Sequence, residues 1–260
     1  MKLVTLTTDY GTKDYYVAFL KGRIYSQATS VQVVDLCNHI EPYNISKAAF
    51  VVKNSFHAFP MGTIHLICVS NFYNEKPRFL AFEFSGHFFV VPDNGILSLM
   101  FDSYQGELYE LTVDESLSLP DLYNFYANAA SYILENNRLD GIGNKTKEFE
   151  KRYSIQPIIG KDYIRGTIVH VDVFENVIVN VDREIFERVS KGRNFELYFK
   201  RFDPLTLLSE KYSDVQPGDP ICLFNSGGLL EIAVHNGKAA SLFGLDLGDT
   251  VQIDFHYDAG

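Results

Sequence analysis

The apolar pattern of this chain changes once, near residues 144–162, and that change constrains the fold more than any single motif. Before it, strand-like and helix-like stretches alternate. Residues 3–7 (Leu-Val-Thr-Leu-Thr) favour an extended chain. Asp9 and Gly11 break it, and Tyr16, Val17, Leu20 and Ile24 then recur at helical spacing. Residues 31–35 read as a second strand that closes on Asp35. Asn44 is placed to cap a helix with the apolar face Ile45, Ala48, Ala49, Val52 and Phe56, ended by Pro60 and Gly62. Residues 63–70 are nearly continuously apolar, as in a parallel strand buried on both faces. Strands near 79–84 and 88–91, the turn Pro92-Asp93-Asn94-Gly95 and a helix over 121–134 continue the series. This alternation predicts an α/β domain with a mainly parallel sheet. Beyond the change, residues 163–172, 177–181, 195–199, 220–224 and 229–234 are short strands at close spacing, with one helix over 183–190. That pattern predicts a small all-β, barrel-like domain. The expected organisation is an α/β domain over 1–155, a linker region over 144–162 and a barrel-like domain over 163–260.

Composition removes several classes of function. A net charge of -10 with a pI near 5.1 argues against a nucleic-acid partner, which needs clustered Lys and Arg, but suits a cationic small ligand. The three cysteines, Cys37, Cys68 and Cys222, lack metal-ligand spacing, and a reducing, cytoplasmic setting is the simplest context. The first residues read directly as a strand without a signal-peptide run, and no apolar stretch approaches a membrane span, so no membrane partner is expected. Gly141-Ile-Gly143 lacks the third glycine of a dinucleotide fingerprint and follows no strand. His65 and His170 lie in apolar strands and read as structural histidines; neither a metal site nor a Ser-His-Asp triad follows from spacing.

What remains are polar residues at strand ends: Asp9, Asp35, Ser70, Asp93 with Asn94, Asp172 with Asn176, and Asn225 with Ser226. Ligands of open α/β sheets bind beyond the carboxyl ends of the strands, where Asp9 stands. Each of these residues alone is also ordinary turn or cap chemistry.

Their order along the chain carries a resemblance. Thr8-Asp9-Tyr10-Gly11, Val34-Asp35-Leu36 with Pro42-Tyr43 downstream, and Val91-Pro92-Asp93-Asn94-Gly95-Ile96-Leu97 are followed by the run from Gly166 to Asp172-Val-Phe174-Glu175-Asn176. The last motif runs from Asn225-Ser226 through Val234 to Ala240. Together they resemble the S-adenosylmethionine hydroxide adenosyltransferases, a family that includes the S-adenosylmethionine-dependent fluorinase and chlorinase, over nearly the full length. Glu175 stands where that family usually has glycine.

The resemblance implies a nucleoside-binding α/β domain followed by a β-barrel. It also implies a homotrimer with sites between one subunit's N-terminal domain and a neighbour's C-terminal domain, and S-adenosylmethionine or adenosine as ligand. No cofactor and no metal are implied. Carried over by position, Asp9 holds both ribose hydroxyls and Tyr43 packs near the methionine or ribose part. Asp172 and Ser226 meet the ammonium and carboxylate ends of methionine. Phe174 and Asn176 contact adenine, with backbone near Val234 and Asn236 reading its edge. Asp93 and Asn94 belong to the same ligand-binding set.

The implied reaction is attack of water or hydroxide on ribose C5′, giving adenosine and methionine. In the hydrolases, water handling is linked to an Asp-Pro-Gly-Val-Gly segment with a following Arg, and to a His-Gly-Arg-Asp segment. Here Cys68-Val69-Ser70-Asn71-Phe72-Tyr73-Asn74 occupies the first, with Ser70 in place of the acid and Arg78 near the arginine position. Pro120-Asp121-Leu122-Tyr123-Asn124 occupies the second, with Asp121 in place of histidine. The expected catalytic set is therefore Asp121 as base with Ser70 or Arg78 positioning. The family relation favours a hydrolase. The alternative is a binding protein that keeps the pocket without turnover, and halide transfer is a weaker third reading because loss of the hydrolytic residues does not by itself make a halide pocket.

Overall fold

A computed structural model describes residues 2–28, 30–113, 118–200 and 203–257. The chain forms two compact units, Met1–Ser154 and Ile155–Gly260.

The first unit runs β1 (Lys2–Thr8), α1 (Tyr16–Gln27), β2 (Val31–Cys37), α2 (Ile45–Lys53), β3 (Ile64–Cys68), β4 (Phe79–Phe84), β5 (His87–Pro92), α3 (Ile96–Met100), β6 (Leu108–Leu111), α4 (Leu119–Asn136) and β7 (Asn144–Thr146). Its sheet has the order β2-β1-β3-β5-β4-β6-β7. The β2-β1-β3-β5 half is parallel. The other half is antiparallel, so the sheet is mixed. The switch occurs at the β4–β5 hairpin, where Ser85 and Gly86 both take positive φ, the geometry of a two-residue turn that matches strand twist.

Both faces of the parallel half are covered, which explains the continuous apolar run of β3. Ile64, Leu66 and Cys68 face a core shared with Val17, Leu20 and Ile24 of α1 and Tyr126 and Ala130 of α4. Ile67 and Val69 face the opposite core, with Ala48, Ala49 and Val52 of α2 and Ile96 and Leu97 of α3. Asn44 caps α2 as expected, its side chain accepting from Lys47 N–H at 3.0 Å. The helix stops at Lys53, and Phe56 packs from a separate short 3-10 turn.

The second unit runs β8 (Ile158–Ile159), β9 (Tyr163–Val171), β10 (Val177–Asp182), α5 (Arg183–Ser190), β11 (Asn194–Phe199), β12 (Leu208–Ser209), β13 (Pro220–Phe224), β14 (Leu229–Val234), α6 (Ala239–Phe243) and β15 (Thr250–His256). The strand order is β11-β15-β9-β10-β14-β13-β12, with β8 also on β9. The start of β9 pairs with β15 and its end with β10, so the sheet turns a corner along one strand and curls into a half-barrel. Gly166 sits at that corner: a Cβ there would come within 2.5 Å of Val179 Cγ1, so only glycine lets β10 approach this closely. Ile168, Val179, Leu197, Ile232 and Ile253 fill the interior. Strands β6, β7, β8, β12 and β15 lie outside the pattern read from the sequence. Within residues 144–162 the chain adds one short strand to each sheet.

Candidate functional site

Parallel strands β1 and β3 end side by side, with Thr8 opposite Cys68, and the chain then turns at Asp9 and Ser70. Asp9 Oδ2 accepts two backbone hydrogen bonds, from Tyr43 N–H and from Ser70 N–H, each at 3.1 Å. Tyr43 and Ser70 both adopt positive φ, a region costly for residues with a Cβ. The carboxylate thus holds two strained loops at the carboxyl edge of the sheet. Its Oδ1 has no hydrogen-bond partner among the described residues, and the residue is half-buried. Such an oxygen can accept from a ligand hydroxyl. Ser70, joined to Asp9 through its N–H, is likewise half-buried, and its hydroxyl has no hydrogen-bond partner among the described residues.

A buried amide network supports this edge. Asn94, 3% exposed, donates from Nδ2 to Val69 O and Ser70 O at 3.0 and 3.2 Å, while its Oδ1 accepts from Ile96 N–H. Asn71 Nδ2 donates to Tyr10 Oη at 2.9 Å, and Tyr126 O–H donates to Asn71 Oδ1 at 2.6 Å, within reach also of Ile67 O. Burial pushes the Tyr10 and Tyr126 phenols and the Cys68 thiol well above their ordinary ranges, so all three are neutral donors or fillers at neutral pH. Tyr10 meets Tyr16 and Tyr123 edge-on, with ring centroids 6.1 and 6.2 Å apart.

Arg78, Asp93 and Asp121 have other partners. Arg78 NH1 lies 3.0 Å from Asp93 Oδ2, a charge contact rather than an aligned hydrogen bond, and its NH2 donates to Glu110 Oε2 at 2.8 Å. Asp93 is buried, and its Oδ1 accepts from Glu150 N–H at 2.7 Å. Burial raises its pKa, opposed by that bond and by Arg78. Asp121 closes a capping box at the start of α4, its Oδ2 accepting from the N–H and hydroxyl of Ser118. Hydrogen bonds therefore unite Asp9, Tyr43, Ser70 and Asn94 and employ Asp121 in a cap, whereas a charge contact pairs Asp93 with Arg78.

In the second unit Asp172 organises the turn between β9 and β10. Its Oδ1 accepts from Phe174 N–H and Asn176 N–H at 2.9 and 2.8 Å, and its Oδ2 from Asn176 Nδ2 at 3.1 Å. The turn buries Asn176 and leaves Phe174 70% exposed. Ser226 is exposed in a turn closed by Asn225 Oδ1, which accepts from Gly227 N–H and Leu229 N–H. Val234 is buried at the end of β14, and Asn236 follows with positive φ. Beneath these lies Glu231, buried, accepting from Tyr212 O–H at 2.6 Å. Burial raises its pKa, and the nearby Asp172 adds to the rise. Tyr10, Asn71, Tyr126 and Glu231 were not singled out by sequence reasoning. The signal available for Asn71 and Glu231 was a polar residue beside or inside a strongly apolar stretch. Among the described residues no group of three or more His, Cys, Asp or Glu is arranged to hold a metal ion, and no helix is long and apolar enough to cross a membrane.

Known proteins resemble this chain over nearly its full length. The chain is 25% identical to an (R)-S-adenosyl-L-methionine hydrolase of Methanocaldococcus jannaschii over 97% of this chain and 96% of that one. It is 23% identical to a fluorinase of Actinopolyspora mzabensis over 96% of each. A crystal structure of a conserved protein from Thermotoga maritima superimposes with a TM-score of 0.86 at 24% identity, covering 97% of this chain and 99% of that one, which shows the fold. The SAM hydroxide adenosyltransferase N-terminal domain model matches residues 4–143 and the corresponding C-terminal domain model residues 166–252; with both halves matched in order, the chain belongs to the SAM hydroxide adenosyltransferase family.

Proposed function

We propose that this protein hydrolyses S-adenosylmethionine to adenosine and methionine by attack of water or hydroxide at ribose C5′. The observation that carries the proposal is the half-engaged Asp9 carboxylate at the strand ends: Oδ2 accepts from two loop amides, one of them that of Ser70, while Oδ1 and the Ser70 hydroxyl have no hydrogen-bond partner among the described residues. Family membership and the hydrolase named among the relatives support the same reading.

In this proposal Asp9 accepts hydrogen bonds from the ribose hydroxyls and so fixes C5′. Tyr43, exposed on the neighbouring loop, covers the ribose or methionine part. Phe174, Asn176 and backbone near Val234 and Asn236 receive adenine; Asp172 and Ser226 receive the amino-acid end. Methionine leaves as a neutral thioether, so the leaving group needs no general acid, and the demands are alignment, desolvation and a held water. Of the three water-handling candidates, Ser70 is the best placed, because its N–H is bonded to Asp9 and its hydroxyl has no hydrogen-bond partner among the described residues. Arg78 and Asp121 support the site through Asp93 and through the α4 cap. Asp93 and Asn94 act from beneath by fixing the loops. No cofactor is called for. A homotrimer, with each site drawn from the N-terminal unit of one subunit and the C-terminal unit of a neighbour, and a cytoplasmic location belong to the same proposal.

Incubation with S-adenosylmethionine at high protein concentration, followed by chromatography, is expected to yield adenosine and methionine in equal amounts. Calorimetric binding of S-adenosylmethionine without product would overturn hydrolysis and leave a binding protein. Absence of both would overturn the pocket.

A further inference from the structure

Glu175 is a side-chain-bearing residue at a φ of 63°, in the turn that carries Phe174 and Asn176. Its carboxylate reaches across to the segment that follows β14. Lys238 Nζ donates to Oε1 at 2.6 Å, and Ser241 donates to Oε2 from its N–H at 3.2 Å and from its hydroxyl. The Glu175 carbonyl accepts from Ala240 N–H at 2.9 Å. Hydrogen bonds from Lys238 and Ser241 hold the carboxyl below the ordinary carboxylate range, so the charge is present at neutral pH. The two segments joined in this way are the turn bearing Phe174 and Asn176 and the stretch through Val234, Asn236 and Lys238.

We propose that Glu175 and Lys238 form a clamp that positions these two segments for the nucleobase, with Glu175 as the positioning residue. The proposal rests on the assignment of the adenine contacts above. An exposed aromatic ring on a short turn gains affinity when its orientation is set before binding, because ordering it afterwards costs free energy. An exposed ion pair contributes little to global stability, so the clamp is expected to show in binding rather than in folding. It is remote from water at C5′ in its action: it holds the adenine end, and its loss moves KM while leaving kcat in place.

The test measures adenosine affinity by calorimetry, and kcat and KM for S-adenosylmethionine, in full-length Glu175→Gly and Lys238→Met. Glycine at 175 relieves the positive φ and removes the clamp together. The expected result for both variants is a Kd and KM raised about 5–10-fold, kcat within about twofold, and a Tm unchanged, or raised for Glu175→Gly. Added salt, which screens an exposed pair, should weaken adenosine binding by the wild type and leave Lys238→Met nearly unaffected. Affinity within about twofold of wild type in both variants would overturn the clamp. Phe174→Ala and Asn176→Ala run in parallel separate the two ideas. If they weaken adenosine binding while the clamp variants do not, the clamp alone fails; if they also leave it unchanged, the adenine assignment fails with it.

Discussion

Asp9 Oδ2 holds the amides of Tyr43 and Ser70 while Oδ1 has no partner among the described residues, so truncating the side chain removes a loop anchor and a ligand acceptor together. Charge-assisted hydrogen bonds contribute about 1.5–3 kcal/mol each. Two lost to a ribose correspond to a loss of adenosine affinity of at least ~100-fold in Asp9→Ala, measured by calorimetry. Unchanged affinity in a folded variant would remove the ribose role. Ser70 is the complementary case. Its hydroxyl makes no hydrogen bond among the described residues, whereas its N–H and carbonyl are tied to Asp9 and Asn94, so Ser70→Ala leaves the loop in place. A group that positions the attacking water is expected to cost about 10–100-fold in kcat with KM nearly unchanged. A raised KM with normal kcat would make Ser70 a binding residue instead. At this scale the sequence was informative about identity but not about employment. Asp9 and Ser70 were legible as polar residues at strand ends. That Arg78 would bridge Asp93 and Glu110, and that Asp121 would be used by its own helix cap, depends on partners distant in sequence or on local turn geometry.

Elements combine these residues into something their sequence pattern only partly announces. The hydrophobic run of β3 was legible because both faces of the strand are covered, and the same run concealed a polar line across the sheet. Thr5 Oγ1 on β1 lies 2.7 Å from His65 Nδ1 on β3, and His65 Nε2 lies 3.2 Å from His87 Nδ1 at the start of β5. Phe56 and Phe89 enclose the pair, and His65 is 1% exposed. Burial, with His87 adding to it, lowers the His65 pKa to about 3. An unfolded imidazole titrates near pH ~6.5. Between those values the unfolded chain takes a proton that the folded one refuses. The stabilisation is therefore complete above about pH 6.5 and is lost as pH falls towards 3, by up to about 1.4 kcal/mol per unit. Urea titrations from pH 7 to pH 4 are expected to show a flatter pH dependence for His65→Gln than for wild type. Parallel curves would mean that His65 does not couple folding to protons. The sequence reading of His65 as structural agrees with this network, but its two partners were not legible, because they come from β1 and β5. Strand β15 is a different kind of omission: Val251, Ile253 and Phe255 alternate inward, a period-two signal present in the sequence.

The proposed ligand contacts are divided between the two units: Asp9, Tyr43 and Ser70 lie in Met1–Ser154, and Asp172, Phe174, Asn176 and Ser226 in Ile155–Gly260. No run of sequence could show whether one chain or two neighbours complete a site, since that is decided by assembly. A head-to-tail ring makes a specific demand on mutants that single-chain sites do not. Asp9→Ala disables the N-terminal contribution of every subunit that carries it, and Asn176→Ala the C-terminal contribution. In a closed ring whose sites are shared between neighbours, an Asn176→Ala subunit still offers an intact Asp9 to the adjoining Asp9→Ala subunit, whose Asn176 is intact. Random assembly of the two variants in equal amounts then rebuilds roughly one site in four. At S-adenosylmethionine concentrations well below the KM of either variant, where weakened binding leaves each alone nearly inactive, co-expressed variants are therefore expected to recover about a quarter of wild-type turnover, and light scattering should give the mass of three chains. If each chain supplied both halves of its own site, no mixture would contain an intact one, and activity would stay at the level of the separate variants.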